Sequence, residues 1–321
     1  MISGFSVSSK VKDIILHSWS DATMKQYKGP TLKWFAYCKV KNIDPYEARF
    51  EDAADFLAEE FSNSSKGYSS MNTARSALSA ILKPKDGFTF GKHPLTCRIL
   101  KGMFRMRPSL PKYTVTYDAS IVLNFLADIP SDSELDLPSL TFKLATLMLF
   151  LSGKRSQIME ALALQFMFID EHQAVFYIAE IMKESRPGFH TKPLEFQAFP
   201  YNSKLCMVSC LSTYLERTTE LRSDPHIGRL FLSPFRPFNP VKNATIASYV
   251  RNTLSAAKID LTTFGVHSTR SSSTSKAAAN NLSLVEIYKA AGWANAGTFQ
   301  KFYKKDIVQN FGNAVLAEYI K

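Results

Sequence analysis

Apolar residues in the N-terminal third of the chain recur three or four positions apart, which is the spacing of one face of an α-helix. This pattern predicts four helices. The first begins at Ser20 or Asp21, and we expect Gly29-Pro30 to kink or split it, because proline removes a backbone hydrogen bond. The other three are predicted over residues 51–61, over 69–82 with Ser69 or Ser70 as the cap, and over 95–106.

Beyond Pro111 the pattern becomes mixed. Helices are predicted over residues 119–126 and 141–151, on either side of an acidic loop at 131–136. Short β-like runs follow and predict strands, with Arg186-Pro187-Gly188 as a hairpin turn between the last two. These strands cover residues 166–169, 174–181 and 194–199. Further helices are predicted to start near Ser203, Asn243, His267, Ser283 and Asn295.

The change of pattern predicts two domains in a mainly α-helical protein. Residues 1–113 are expected to form a small helical domain that ends in a basic, proline-containing linker. Residues 114–321 are expected to form a larger helical domain with a small antiparallel sheet. A chain of 321 residues is long enough for two ordinary domains or one large one, and with 45% apolar residues it can bury a core.

The formal net charge of +11 favours a polyanionic partner, which is either nucleic acid or an acidic membrane surface. The longest apolar stretch, Leu144 to Leu151, is much shorter than the roughly 20 residues that a spanning helix needs. We therefore expect nucleic acid and no membrane. The N-terminus also lacks the basic and then apolar pattern of a secretory signal, so we expect an intracellular protein.

Residues 91–115 contain six cations and no acidic residue. A solvated helix face is one interpretation, but such faces usually interleave both signs of charge. We favour a surface that contacts DNA phosphates, in line with the basic stripes of nucleic-acid-binding proteins. The DNA-binding residues that we predict here are Arg98, Lys101, Arg105 and Arg107.

The sequence predicts neither a metal site nor a small-molecule cofactor. Its four cysteines are sparse, as is usual in a reducing compartment. Cys206 and Cys210 share a helix face, but no further ligands stand at zinc-binding spacing. The acidic residues of the 131–136 loop have no histidine near them.

Two motifs in the second domain place a cation where phosphate can bind. Gly153 ends a long apolar helix and Arg155 starts the next helix, where backbone N–H groups also favour anions. Lys183 lies at the tip of the predicted hairpin. Each motif alone is common on the surfaces of unrelated proteins.

Two further motifs lie closer to the C-terminus. His267 and Arg270 are three residues apart and therefore share one face of a helix. Trp293 follows a helix-ending glycine, and Tyr303 ends the next predicted helix. Lys304 comes directly after that tyrosine, and we expect it to contact DNA.

In this order and spacing the four motifs resemble the tyrosine recombinase (phage integrase-like) family. The local sequences Gly-Lys-Arg-Ser-Gln, His-Ser-Thr-Arg-Ser-Ser-Ser-Thr-Ser and Thr-Phe-Gln-Lys-Phe-Tyr most resemble recombinases of eukaryotic DIRS, Ngaro and crypton mobile elements. Ile158 stands where many members have glutamate, and Trp293 where they usually have a second histidine. The interval from Trp293 to Tyr303 is slightly longer than usual.

The resemblance implies a helical, SAM-like core-binding domain, the tyrosine recombinase catalytic fold, and metal-free DNA cleavage and rejoining. Tyr303 is the implied nucleophile, which leaves a 3′-phosphotyrosyl link and a free 5′ hydroxyl. Because tyrosine ordinarily has a pKa near 10, it needs a base or nearby cations, and His267 is the candidate base. The family assigns the general acid to the position of Lys183, and Lys192 on the same hairpin is the second candidate.

The other implied site residues stabilise charge on the phosphate. Arg155 and Arg270 suit this role because guanidinium forks match phosphate geometry and cations lower the barrier for attack on a phosphodiester. Trp293 has one N–H donor and no acceptor, so it can hydrogen-bond a phosphate oxygen but cannot act as a base.

The resemblance also implies partners and a compartment. Family members act on double-stranded DNA as homo-tetramers on paired sites, often by exchanging a C-terminal helix, and the mobile-element likeness implies nuclear action. Residues 311–320 can either serve in that exchange or pack within their own chain. Three alternatives stay open: a type IB topoisomerase-like enzyme, a domesticated DNA-binding protein that does not cut, and a general basic interaction protein.

Overall fold

The computed structural model describes residues 8–108, 115–182, 185, 187–188, 191–293, 297, 303 and 306–307. The chain divides into two compact units, Met1–Pro111 and Lys112–Lys321, and each has its own hydrophobic core. The predicted fold class is confirmed, since the described residues are mainly helical and include one antiparallel three-stranded sheet.

The first unit is helical and packs around Trp34, which is fully buried and donates its indole N–H to the carbonyl of Pro45 at 2.9 Å. The rings of Tyr37 and Phe56 contact it and extend the core. Each predicted helix is present, and a short one precedes them whose residues are all at least partly exposed. The helices are α1 (Ser9–Leu16), α2 (Asp21–Lys41), α3 (Phe50–Ser62), α4 (Tyr68–Ser79) and α5 (Pro94–Met106).

Two details of the first unit differ from the prediction. Helix α2 runs unbroken through Pro30, because residues beyond it, among them Trp34, are buried against the core and offset the lost hydrogen bond. Helix α4 begins after Gly67 rather than at Ser69 or Ser70. Ser69 is already inside that helix, where its carbonyl accepts a hydrogen bond from the hydroxyl of Thr73.

The second unit is built around a helix that is buried on almost every side, as expected for an apolar run without a polar face. This helix, α7, packs against α9, α10 and α11. The helices are α6 (Ala119–Asp128), α7 (Leu137–Ser152), α8 (Ser156–Glu160), α9 (Met207–Thr218), α10 (Asn243–Ala256), α11 (Ser268–Ala279) and α12 (Leu284–Ala291).

Most predicted helix starts in this unit are confirmed. Helix α10 begins at Asn243, α11 directly after His267, and α12 directly after Ser283, which forms a capping box with Glu286. At Ser203 the chain forms one 3-10 turn first, and α9 begins at Met207. The helix predicted near Asn295 lies outside the described residues.

The described residues of the second unit include five short strands: β1 (Val115–Thr116), β2 (Met167–Ile169), β3 (Gln173–Phe176), β4 (Leu194–Gln197) and β5 (Asp306–Ile307). Strands β2, β3 and β4 form the antiparallel sheet, with Ala174 opposite Phe196. Strand β3 ends well before the predicted limit at Ile181, which is 89% exposed and has no core to face. Strands β1 and β5 pair in parallel, which the sequence did not predict.

No described helix is both long enough and apolar enough to cross a membrane. Cys206 and Cys210 are buried at the start of α9, and burial raises the pKa of the Cys210 thiol well above its usual range. Within the described ranges, no group of three or more histidine, cysteine or acidic side chains is placed to hold a metal ion.

A buried ion pair fixes the acidic loop to the central helix. The ammonium of Lys143 on α7 lies 2.8 Å from a carboxylate oxygen of Asp132, and the two side chains are 0% and 8% exposed. Removing both charges from water is costly, so each group depends on the other.

We therefore expect Asp132→Asn to lower the free energy of unfolding by about 3–5 kcal/mol, because it leaves the ammonium of Lys143 buried without its counter-charge. The double variant Asp132→Leu with Lys143→Met removes both charges and should cost far less. Urea unfolding followed by circular dichroism measures both. Equal losses in the two variants would show that the pair is not what fixes the loop.

Candidate functional site

The first site residue is positioned by the junction between α7 and α8. Gly153 ends α7 in the left-handed region at a φ of 60°, which favours glycine, and a Cβ at this position would lie 3.5 Å from a methyl group of Thr274 on α11. The end of α7 therefore packs closely on α11. Arg155 follows as the N-cap residue of α8 and is partly exposed.

Helix α11 carries the second arginine through the interior of the unit. The helix has small hydroxyl side chains on most sides, which allow neighbouring elements to approach closely, and some of these hydroxyls bond back to carbonyls of the preceding turn. Its buried hydroxyl residues are Ser268, Thr269, Ser271, Ser272, Thr274 and Ser275. Arg270 lies among them and is only 3% exposed.

Arg270 is held by three groups from later in the chain. One guanidinium nitrogen, Nη2, donates to the carbonyl of Ala291 at the end of α12. The guanidinium carbon lies 4.5 Å from the ring centre of Trp293 and 5.0 Å from that of Tyr303. These contacts fix both the position of the charge and its distance from the tyrosine.

The rings of Trp293 and Tyr303 stack on each other, with centroids 4.6 Å apart and planes 29° apart. Trp293 is 7% exposed and forms a small apolar cluster with Ile287 and Ala291. The slightly long interval between the two aromatic residues does not separate them. In the structure Trp293 packs against Tyr303 and Arg270. Its hydrogen bond to phosphate stays a prediction.

Arg155 and Arg270 line one small cleft, although they are far apart in the sequence. Met182, which directly precedes the predicted general acid Lys183, lines it as well. Lys183 itself lies outside the described residues. The described lining residues of the cleft are Lys154, Arg155, Gln157, Ile158, Met182, Arg270 and Ala291, so it combines several cations with no carboxylate. Such a cleft suits an anion with several oxygens.

His267 and Lys192 are described but do not line this cleft. His267 is exposed at the start of α11, one turn from Arg270, and is not among the described residues that line the cleft. Lys192, the second candidate acid, is exposed shortly before β4. Lys304 lies outside the described residues.

Two contacts anchor the backbone around Tyr303, and sequence reasoning missed both. The hydroxyl of Ser275 on α11 donates to the carbonyl of Tyr303 at 3.2 Å. Three residues further on, β5 pairs with β1 of the same chain, so that Val115 lies opposite Asp306. The only sequence signal for the first contact was the run of hydroxyl residues after Arg270. The pairing of β5 with β1 gave no signal, because strands of two residues are too short to show an alternating pattern.

The basic residues of the first unit divide into two groups. Arg98, Lys101 and Arg105 are exposed, and their spacing places them on one face of α5. Arg107 differs, because its Nη1 donates to the carbonyls of residues 61, 64 and 66, at 2.6 to 3.0 Å, and its guanidinium lies over the ring of Phe61. These contacts give Arg107 a structural role at the end of α3, and its predicted DNA contact stays a prediction.

Comparison with solved structures shows the fold of site-specific recombinases and integrases. XerH recombinase bound to its difH substrate matches with a TM-score of 0.55 and 14% identity, over 92% of this chain and 79% of XerH. The Tn1549 transposon integrase in complex with transposon right end DNA gives 0.51 and 13%, over 85% of each chain. A lambda integrase dimer bound to a COC′ core site gives 0.50 and 16%, over 92% of this chain and 76% of the integrase.

The second unit therefore has the tyrosine recombinase catalytic fold that the sequence predicts. No protein-family profile and no curated protein sequence matches the chain. At the identities of the solved structures the similarity shows the fold alone.

The contacts of Arg270 predict that it stabilises the fold as well as the cleft. Arg270→Met should lower the free energy of unfolding by about 2–4 kcal/mol, because the carbonyl of Ala291 loses its donor and two rings lose a cation. Arg155→Met, at a partly exposed position, should cost less than about 1 kcal/mol. Urea unfolding compares the two variants. A cost for Arg270→Met no larger than that for Arg155→Met would contradict this role.

Proposed function

We propose that this protein is a DNA breaking and rejoining enzyme, a site-specific recombinase or integrase that forms a covalent bond between Tyr303 and a DNA 3′ phosphate. The observation that carries the proposal is the position of Arg270. Its guanidinium lines a cationic cleft together with Arg155 and lies 5.0 Å from the ring centre of Tyr303. A phosphate in this cleft is thus close to two arginines and to a tyrosine.

The cations of the cleft counter the charge repulsion that hinders DNA cleavage. Phosphodiester oxygens carry negative charge and repel nucleophiles, and in-line attack places still more charge on them. Cations fixed in advance around these oxygens stabilise that charge without having to reorganise during the reaction. Arg270 is fixed in this sense, since Ala291 and two aromatic rings hold its guanidinium.

In the proposed reaction the phenol oxygen of Tyr303 attacks the phosphorus, and the bond from phosphorus to the 5′ oxygen breaks. The phenol proton passes to the imidazole of His267. The departing 5′ oxygen takes a proton from Lys183, with Lys192 as the second candidate. The phosphotyrosyl ester retains the bond energy, so a 5′ hydroxyl of another DNA end can reverse the step and reseal the strand without ATP.

The solved structures with this fold support the partner that we propose. XerH is bound to its difH substrate, and the Tn1549 integrase is in complex with transposon right end DNA. We propose double-stranded DNA as the substrate here, contacted in part by the exposed α5 face of Arg98, Lys101 and Arg105. Assembly as a tetramer on paired sites, action in the nucleus and a place among eukaryotic DIRS, Ngaro or crypton recombinases are parts of the same proposal. Residues 311–320, the segment considered for helix exchange, lie outside the described residues.

The covalent step predicts a DNA adduct. The protein is incubated with a pool of nicked DNA duplexes of random sequence. After cleavage near the nick, the short fragment that carries the new 5′ hydroxyl diffuses away, so the strand cannot be resealed. A denaturing gel should then show protein linked to DNA. Tyr303→Phe should abolish the adduct, and Arg155→Ala should slow its formation by about 100-fold or more.

Tyr288→Phe is the matched control, because Tyr288 packs against the same small cluster as Tyr303. It should form the adduct at the wild-type rate. An adduct that persists in Tyr303→Phe would rule out this nucleophile. Absence of an adduct despite tight, salt-dependent DNA binding would favour a protein that binds DNA without cutting it.

The α5 face predicts a loss of nonspecific affinity. Arg98→Ala with Lys101→Ala should weaken binding to every duplex sequence and reduce the slope of log affinity against log salt by about 2, because two phosphate contacts are lost. Fluorescence anisotropy from 50 to 300 mM salt, roughly the range over which such contacts weaken, measures the slope.

The matched control is Lys83→Ala with Lys85→Ala, which also removes two cations from the first unit. Both ammonium groups already contact Glu47, one its carboxylate and the other its carbonyl. This pair should change the slope much less. Equal effects of the two double variants would show that overall charge, rather than the α5 face, sets the affinity.

A further inference from the structure

Lys154 occupies an unusual position for a lysine. It directly precedes Arg155, is only 7% exposed, and lines the same cleft as the two arginines. Lysine side chains are seldom buried to this degree, because the ammonium group is strongly hydrated and its long chain loses rotamer freedom. The proposed cleavage reaction assigns no function to the side chain of Lys154.

We propose that Lys154 is a further catalytic residue, whose ammonium contacts a nonbridging oxygen of the phosphate that Tyr303 attacks. The inference rests on the proposed function. Three cationic side chains then converge on one phosphate: two guanidiniums with fixed forks and one compact ammonium on a flexible stem.

The backbone explains why Lys154 lines the cleft. The left-handed turn at Gly153 ends α7 and packs against α11, so the chain between α7 and α8 passes directly over the helix that carries Arg270. The amide of Lys154 donates to the hydroxyl of Ser152 at 3.3 Å, which ties it to the preceding turn. Lys154 and Arg155 therefore share one short segment between two helices, and both line the cleft.

The chemistry of the reaction favours this role. An anion with several oxygens can accept hydrogen bonds from several cationic side chains at once. The nonbridging oxygens gain charge as Tyr303 attacks, so a cation beside them gains most in the transition state. A third cation should thus raise the rate of cleavage more than it raises affinity for DNA.

The test compares Lys154→Met, Lys154→Gln and Lys154→Arg in the full chain, with Lys289→Met as the control at an exposed lysine of the same unit. At saturating nicked DNA, the Met and Gln variants should form the covalent adduct about 100- to 1,000-fold more slowly, as when one donor to a developing oxyanion is removed. Their dissociation constants for DNA should rise by no more than about tenfold, which is less than the loss of rate. Lys154→Arg keeps a cation and should recover most of the rate, and Lys289→Met should match wild type.

A sulfur substitution in DNA separates this role from general-acid catalysis. When sulfur replaces the bridging 5′ oxygen, the leaving group needs no proton, so a variant that lacks only the acid recovers. We expect the Lys154→Met defect to persist on this substrate and the Lys183→Met defect to disappear. Rescue of Lys154→Met, or an adduct rate near wild type on ordinary DNA, would overturn the proposal.

A binding measurement keeps this test independent of the proposed function. Inorganic phosphate is titrated into wild-type protein, Lys154→Gln and Lys289→Met, and binding is followed by calorimetry. Lys154→Gln should bind phosphate at least about tenfold more weakly than the other two, as expected when a charge-assisted contact is lost. If the wild type forms no DNA adduct, the proposed function and the catalytic role fail together, and this titration alone decides whether Lys154 contacts phosphate. Undiminished phosphate binding by Lys154→Gln would then overturn that contact as well.

Discussion

The burial of Arg270 is the constraint on which the rest of the site depends. A guanidinium that is 3% exposed has to be satisfied inside the protein, and here the carbonyl of Ala291 and the rings of Trp293 and Tyr303 surround it. The contact ties α11 to the end of α12 and to the tyrosine segment. Because α7 packs on the same helix through Gly153, the loop that carries Lys154 and Arg155 is brought to the same cleft. One buried charge thereby organises residues from four separate parts of the sequence.

The helices and the sheet could largely be predicted, because each depends on local signals. Local sequence patterns gave α10, α11 and α12 their correct starts, and α12 also begins with a capping residue, Ser283. The errors arose where tertiary packing outweighs a local preference. Pro30 lies inside an unbroken helix because the residues beyond it are buried, and the parallel pairing of β1 with β5 joins segments far apart in the chain. Strands of two residues carry no pattern that a sequence can reveal.

The candidate site could be predicted as a set of residue types in order, but not as a geometry. The resemblance to tyrosine recombinases implied one site for Arg155, Arg270, Trp293 and Tyr303, and the structure brings both arginines to one cleft and both rings onto Arg270. Side-chain burial distinguishes the roles of residues that carry the same charge. Arg107 and Arg98 look alike in the sequence, but Arg107 is bonded to three carbonyls of its own unit. The sequence assigned no role to Lys154, which is 7% exposed and lines the cleft.

The most direct test of the central claim is to identify the residue that becomes linked to DNA. The covalent adduct formed with nicked duplex is digested with nuclease and protease, and the peptides are examined by mass spectrometry. We expect a nucleotide attached through its 3′ phosphate to Tyr303, and no such nucleotide in Tyr303→Phe. A nucleotide attached to any other residue of the wild-type protein would contradict the assignment of the nucleophile and the role of the cleft beside it.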